Sequence, residues 1–248
     1  VQSQPDRLDA DDIWGLIEKE KANFLLIVGD AFARPLLDGL ATSTRDLSSL
    51  LSILSGGAPL SAHLKVEFHQ YLPSVILVDG LGSSEAGGQL SQVASGDSST
   101  TGSFPMAPQK HILSEDLTSE LQAGHEGLGW LAKSGRLALG YLDDEIKTKK
   151  TYPIVDGVRY VVPGDRARLT ADMMIEVHGR DSVTINSGGE KIFAEEVEAA
   201  VKAHPDVYDC VVTGRPSERW GNEVVAVVRL KSGASTTEAS LLEVAQKY

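Results

Sequence analysis

Hydrophobic and polar positions follow two different periods along this chain, and the change falls near its middle. Over residues 10–22, Ile13, Leu16 and Ile17 recur at helical spacing behind Asp9, whose side chain suits the cap of a first turn. The apolar run from Phe24 to Val28 predicts a buried strand, and residues 31–40 read as helix with Pro35 as a weak point. Residues 50–54 are strand-like, residues 61–72 are helical with Ser61 as the cap, and residues 75–78 form another buried, β-branched strand. Strands separated by helices of this length predict βαβ units and a mostly parallel sheet. Ligands bind such sheets beyond the carboxyl ends of the strands. Two glycine-rich turns are expected there, Ser55-Gly56-Gly57-Ala58-Pro59 and Gly80-Leu81-Gly82-Ser83-Ser84-Glu85.

From about Gly102 the period shortens. Segments at 111–113, 130–133, 136–139, 158–162, 167–170 and 174–177 alternate between turns and predict antiparallel β structure. After Gly179-Arg180 come a strand at 183–186, Gly188-Gly189, a helix at 194–203, strands at 208–213 and 223–230, and a helix from Glu238 with no stop signal. The fold class is therefore α/β, with a mostly parallel sheet over 1–100, a β-rich part over 101–181 and a small α+β domain over 182–248. Residues 95–103, rich in Ser, Thr and Gly, read as a mobile loop. The chain starts just ahead of a helix and ends within one, so it reads as a piece of a longer protein.

Charge narrows the function classes. The net charge is −12, with −9 before Ser182 and −3 from there on, so acidity is spread along the chain. Such a surface repels nucleic acid and anionic lipid but leaves a small phosphorylated ligand possible, since that ligand feels the local site. Apolar stretches are too short for a membrane span. The acidic start (Asp6, Asp9, Asp11, Asp12) lacks the pattern of a secretory leader. Cys210 is the single cysteine, which excludes an internal disulfide and a multi-thiolate metal site and fits a cytoplasmic location.

Several residue sets could carry chemistry, each weak alone. Glycine turns let backbone N–H groups approach phosphate. Ser84-Glu85 pairs a hydroxyl with a carboxylate able to bind Mg²⁺. Gly164-Asp165 puts a carboxylate at a strand end, and Gly179-Arg180 supplies a guanidinium. Glu195, Glu196 and Glu198 are first-turn carboxylates favoured by the helix dipole, with Glu198 and Lys202 spaced as an i,i+4 pair. Lys147, Lys149 and Lys150 read as a solvated charge cluster, His63 and His69 as surface residues, and Trp14, Trp130 and Trp220 as packing residues.

The order of these sets is more telling than any one of them. Ser55-Gly56-Gly57-Ala58-Pro59-Leu60, Asp79 to Glu85, Gly135 to Gly140-Tyr141, Gly164-Asp165, Gly179-Arg180, and Asn186-Ser187-Gly188-Gly189-Glu190-Lys191-Ile192 ahead of Glu195-Glu196-Val197-Glu198 follow one another. This order resembles the adenylate-forming superfamily of acyl-CoA synthetases, luciferases and peptide-synthetase adenylation domains, over nearly the whole chain. The Gly-Gly-Glu-Lys-Ile-Phe variant is most similar to actinobacterial fatty-acid and steroid-side-chain CoA ligases.

The resemblance implies a role for each matching residue. Gly57, Ala58 and Pro59 would line the adenine slot, and Asp79, ahead of Gly80 and Gly82, would meet the adenine amino group. Leu81 stands where the family has a tyrosine that stacks on the base, so ring stacking of about 0.5–1.5 kcal/mol is lost and nucleotide affinity is expected to be modest. Ser84 would bind the α-phosphate, Glu85 would hold Mg²⁺, Asp165 the ribose, and Arg180 ribose or phosphate. Ser182 falls on the hinge between two conformations. Lys191 would approach phosphate in the second of these, and Gly188 and Gly189 would line the path of the pantetheine arm of CoA.

The expected activity is ATP-dependent activation of a carboxylic acid to an acyl-AMP and its transfer to CoA. The implied small molecules are ATP/AMP, Mg²⁺, CoA and a fatty or steroid-side-chain acid. The family's Ser/Thr/Gly-rich phosphate loop would lie ahead of Val1 and its catalytic lysine beyond Tyr248, so residues 1–248 alone are expected to turn over little. The same residues would serve transfer to a carrier protein, or a nucleotide-binding scaffold that has kept the fold without catalysis.

Overall fold

Asp9 caps as its position suggests: its carboxylate accepts from the Asp12 N–H at 3.1 Å, and α1 (Ala10–Glu20) begins there, burying Trp14 and Ile17. The computed structural model describes residues 8–42, 44–94 and 100–247. Most of the loop expected at 95–103, residues 95–99, lies outside the described residues. The chain divides into two units, residues 1–83 with 88–101, and residues 84–87 with 102–248.

In the first unit α1 is followed by β1 (Phe24–Ile27), α2 (Gly29–Leu40), β2 (Ser52–Gly56), α3 (Ala62–Tyr71), β3 (Ile76–Ser83) and β4 (Gly87–Ala94). The sheet order is β1-β2-β3-β4; β1, β2 and β3 are parallel, with Ser55 beside Asp79 and Gly56 beside Gly80. One face packs on the helices through Trp14, Ile27, Leu36, Leu37, Ile53, Leu64, Phe68 and Leu77. Within residues 1–248 the helices cover one face of these strands. Phe24, Leu26 and Ile76 are 52%, 60% and 54% exposed, because alternate side chains point to opposite faces and only one face meets the helices. Helix α2 runs through Pro35, since Ala33, Leu36 and Leu37 around it are fully buried and packing outweighs the local penalty. Ser61 holds the cap position of α3, but its hydroxyl donates to Asp30 at 2.6 Å and caps no helix amide.

The second expected glycine-rich turn is mostly strand. Strand β3 continues through Gly80, Leu81, Gly82 and Ser83, and the turn itself is Ser84, Glu85 and Ala86.

The second unit contains β5 (Ser103–Pro105), β6 (Lys110–Leu113), β7 (Gly129–Lys133), α4 (Glu145–Thr151), β8 (Ile154–Val155), β9 (Val158–Arg159), β10 (Asp165–Leu169) and β11 (Met174–Arg180). Then follow β12 (Ile185–Ser187), β13 (Glu190–Ile192), α5 (Ala194–Lys202), β14 (Val207–Ser217), β15 (Gly221–Leu230) and α6 (Glu238–Ala245). Strands β5-β11-β10-β7-β6 form an antiparallel sheet, as the alternation predicts. Residues 136–139 form no strand; they cross between Gly135 and Gly140, and Leu139 is 95% exposed. The strand expected at 183–186 forms as β12, starting two residues later because a 3₁₀ turn at Asp181–Val183 precedes it. The last helix covers Glu238–Ala245 within the described residues.

Helix α5 and the long β14–β15 hairpin bury Ile185, Ala194, Val201, Val207, Cys210 and Val212. Glu198 and Lys202 do not pair with each other. Glu198 accepts from the Val212 N–H at 2.8 Å and Lys202 reaches Asp209 at 3.3 Å, so both tie α5 to β14. Burial and the Glu198 carboxylate push the Cys210 thiol up to about 11. At pH 8 the thiolate fraction is then roughly one part in a thousand. Native protein should therefore react with a thiol reagent at least about a hundredfold more slowly than urea-unfolded protein; stopped-flow labelling checks this.

Candidate functional site

In the first unit, the turn after β2 is clamped from the side. Gly57 adopts φ +88°. The buried Ser55 hydroxyl accepts from the Gly29 N–H at 3.1 Å, and the Pro59 carbonyl accepts from the Asp30 N–H at 3.1 Å. Asp30 in turn accepts from the Ser61 N–H at 2.7 Å. Gly29 is required there: it has φ +55°, and a Cβ would sit 2.5 Å from the Pro59 carbonyl oxygen. The start of α2 thus fixes Gly57, Ala58 and Pro59. Gly29 and Asp30 directly follow an apolar run, but the sequence alone assigns them no partner.

Asp79, 4% exposed, accepts from Lys65 at 2.6 Å; the Lys65 side chain is fully buried and donates also to the Thr100 carbonyl at 2.7 Å. Burial raises the Asp79 pKa, and the Lys65 ammonium opposes it. An adenine amino group reaching Asp79 would share that carboxylate with Lys65. Lys65 escaped the sequence reading because a lysine on an amphipathic helix ordinarily faces water. Gly80, Leu81 and Gly82 follow on β3, all half-buried.

In the second unit, Ser84 is exposed at the turn and Glu85 is half-buried. The turn is anchored from three directions. Ala86 packs with Tyr152 and Val161, Lys133 donates to the Ala86 carbonyl at 2.6 Å, and the Tyr141 hydroxyl donates to Glu85 Oε1 at 2.6 Å. Burial and the Glu85 carboxylate raise the Tyr141 pKa, which keeps the phenol protonated as a donor.

Asp165 opens β10, so its carboxylate stands at the start of a strand and not at an end as expected. It is 2% exposed and lies opposite Arg180, the last residue of β11, whose Nε donates to it at 3.1 Å. The two residues expected at the sugar are therefore cross-strand partners. Against Gly179 lies Glu195, whose Oε2 is buried without a hydrogen-bond partner; burial raises its pKa. Ser182 lies in the exposed 3₁₀ turn. Lys191 pairs with Glu115 at 3.1 Å, and Glu115 also meets the buried Arg166 at 3.4 Å. Gly188 is pressed on Trp220, where a Cβ would be 2.8 Å from the ring, while Gly189 has nothing within 4 Å. Trp220, 47% exposed, thus packs on a turn and not in a core.

A model of the AMP-binding enzyme family matches residues 1–142, more than half the chain. The chain belongs to the AMP-binding enzyme family. A model of the AMP-binding enzyme C-terminal domain matches residues 196–247. It is 52% identical over 237 residues to the medium-chain acyl-CoA ligase Mig of Mycobacterium avium, covering 96% of the chain and 43% of that relative. It is 45% identical to a medium/long-chain-fatty-acid and 3-oxocholest-4-en-26-oate CoA ligase of Mycolicibacterium smegmatis, covering 93% and 43%. The chain thus spans under half the length of these relatives. Among solved structures, amide bond synthetase McbA from Marinactinospora thermotolerans superposes with a TM-score of 0.80 at 20% identity, over 98% of this chain and 48% of that one. ATP-bound MatB from Rhodopseudomonas palustris gives 0.77 at 25%, over 97% and 47%. The α/β fold of adenylate-forming enzymes is thereby established.

Two electrostatic features of the chain can be measured. Lys65→Met leaves a buried carboxylate without its cation and should cost about 3–5 kcal/mol in urea unfolding, while adding Asp79→Leu should recover much of the loss. Glu195 has a raised folded-state pKa, so the folded state holds its proton more tightly than the unfolded chain does. Its contribution favours folding at low pH and fades as pH rises through the folded value. Glu195→Gln should therefore gain about 1 kcal/mol over wild type near neutral pH and nothing below about pH 4, read from urea midpoints at the two pH values.

Proposed function

We propose that these residues form the nucleotide-handling part of an AMP-forming acyl-CoA synthetase that works in the cytoplasm on a medium-chain, long-chain or steroid-side-chain acid. The observation that carries the reading is the ordered set of Gly57-Ala58-Pro59, Ser84-Glu85, Asp165 and Arg180 in a chain 52% identical to an acyl-CoA ligase. In the first half-reaction the acid's carboxylate oxygen attacks the α-phosphorus of ATP, forming acyl-AMP and releasing pyrophosphate. In the second, the CoA thiol attacks the acyl carbon, its proton is lost, and AMP leaves.

The difficulty of the first step is that two anions must meet. Glu85 fits a Mg²⁺ ion by the chemistry of its donor set. Among the described residues no group of three or more His, Cys, Asp or Glu could cage a metal. Mg²⁺ ordinarily takes one or two carboxylates and completes its shell with water and phosphate. When bound, Mg²⁺ supplies positive charge to the phosphate oxygens. Ser84 offers a hydroxyl to the α-phosphate, and Asp165, steadied by Arg180, accepts from ribose hydroxyls. Gly57, Ala58 and Pro59 line the base, with Asp79 and Leu81 on β3. These groups bind and orient the nucleotide, and none needs to move a proton. We assign Ser182 to the hinge, Gly188 and Gly189 to the path of CoA, and Lys191 to a phosphate contact made once it leaves Glu115.

The test is acid-dependent exchange of labelled pyrophosphate into ATP by a protein of the relatives' full length that contains these residues. Exchange with an acid of this class is expected; folded protein that exchanges with none of a panel overturns the reading. Asp165→Ala should lower exchange at least about a hundredfold, and residues 1–248 alone should show almost none.

A further inference from the structure

Glu85 sits on a three-residue turn, and a carboxylate in such a place has several side-chain rotamers open to it. One of its oxygens is nevertheless held. The Tyr141 hydroxyl donates to Oε1 at 2.6 Å, the short end of the range expected for a hydroxyl meeting a carboxylate. We propose that Tyr141 is a positioning residue for the Glu85 carboxylate, fixing the orientation in which Glu85 receives the divalent cation. This rests on the reading of Glu85 given above and adds a role for a residue that reading leaves unused.

Tyr141 is itself held in a way that suits this role. Its backbone N–H donates to the Thr148 hydroxyl at 2.8 Å, on the first turns of α4. Asp144 caps that helix by accepting from the Lys147 N–H at 2.8 Å. The approach of Tyr141 to α4 is possible only because residue 140 is glycine: a Cβ there would lie 2.4 Å from Thr148 Cγ2 and 2.7 Å from its hydroxyl. The Tyr141 ring packs edge-on to Tyr152, 6.2 Å between centroids, and the Lys147 ammonium lies over the ring, 4.0 Å from its centroid. A cation on the ring face draws electron density from the phenol and strengthens donation to Glu85.

A hydrogen bond to a ligating carboxylate does two things. It removes rotamer freedom that metal binding would otherwise have to freeze, and it sets the orientation in which the carboxylate is presented. Tyr141→Phe removes only the hydroxyl and keeps the ring contacts, so the protein should still fold, which its circular dichroism spectrum checks. The experiment uses full-length protein with a saturating non-hydrolysable ATP analogue, titrated with Mn²⁺ and followed by the EPR signal of bound metal. Tyr141→Phe should weaken Mn²⁺ binding about tenfold, equivalent to about 1.4 kcal/mol. In pyrophosphate exchange it should raise the Mg²⁺ needed for half-maximal rate by a similar factor, with the rate at saturating Mg²⁺ largely retained. Mn²⁺ affinity within twofold of wild type in Tyr141→Phe overturns the inference. Glu85→Gln separates the two levels. If it weakens Mn²⁺ binding while Tyr141→Phe does not, only the positioning role fails; if it leaves Mn²⁺ binding intact, the assignment of Glu85 fails and the positioning role with it.

Discussion

The carboxylate most important to the proposed chemistry stands on a turn, and a turn by itself fixes nothing. What fixes it is the convergence of three side chains from the second unit on residues 85 and 86: Lys133 on the Ala86 carbonyl, Tyr141 on Glu85, and Tyr152 packed on the Ala86 methyl. Two of these are charge-assisted hydrogen bonds of 2.6 Å, about twice as strong as neutral ones. The antiparallel sheet provides Lys133 from β7, and the segment around α4 provides the two tyrosines. The second unit therefore works as a holder, and the functional residue is what it holds.

Electrostatics in this acidic chain are arranged as local pairs. Lys65 with Asp79 and Arg180 with Asp165 each place a cation beside a carboxylate that is almost wholly buried. The two pairs differ in purpose. Lys65 has no exposed side-chain surface and is committed to Asp79 and the Thr100 carbonyl, so it serves the structure of the sheet. Arg180 keeps about half its side chain exposed, which leaves it able to meet a ligand while it orients Asp165.

Much of the fold was legible because the two periods of the sequence are genuine. Asp9 caps α1, and βαβ spacing gives three parallel strands. The antiparallel part also appears where alternation begins. What was not legible follows from contacts made over long sequence distances. Residues 136–139 alternate like a strand, but glycines at both ends and the demands of Tyr141 leave them as a crossing loop. Phe24 and Leu26 look like core residues until the sheet shows which face meets helices. Glu198 and Lys202 have the spacing of a helix pair, yet each finds a better partner on β14. At the candidate site the same division holds. The ordered glycines, Glu85, Asp165 and Arg180 could be picked out one by one, and the cross-strand register of the last two was implicit in their positions around one hairpin. Lys65, Asp30 and the hydroxyl of Tyr141 could not be assigned, because their partners lie 14, 31 and 56 residues away.

Gly140 shows how such an arrangement can mislead mutational scanning. The atoms that a Cβ there would meet belong to Thr148. An alanine there would displace Thr148, loosen the Tyr141 backbone, and surface in an assay as impaired use of metal. A screen reading phenotype as proximity would then score this glycine as part of the reaction centre, when its real contribution is the lack of one methyl group where Thr148 packs.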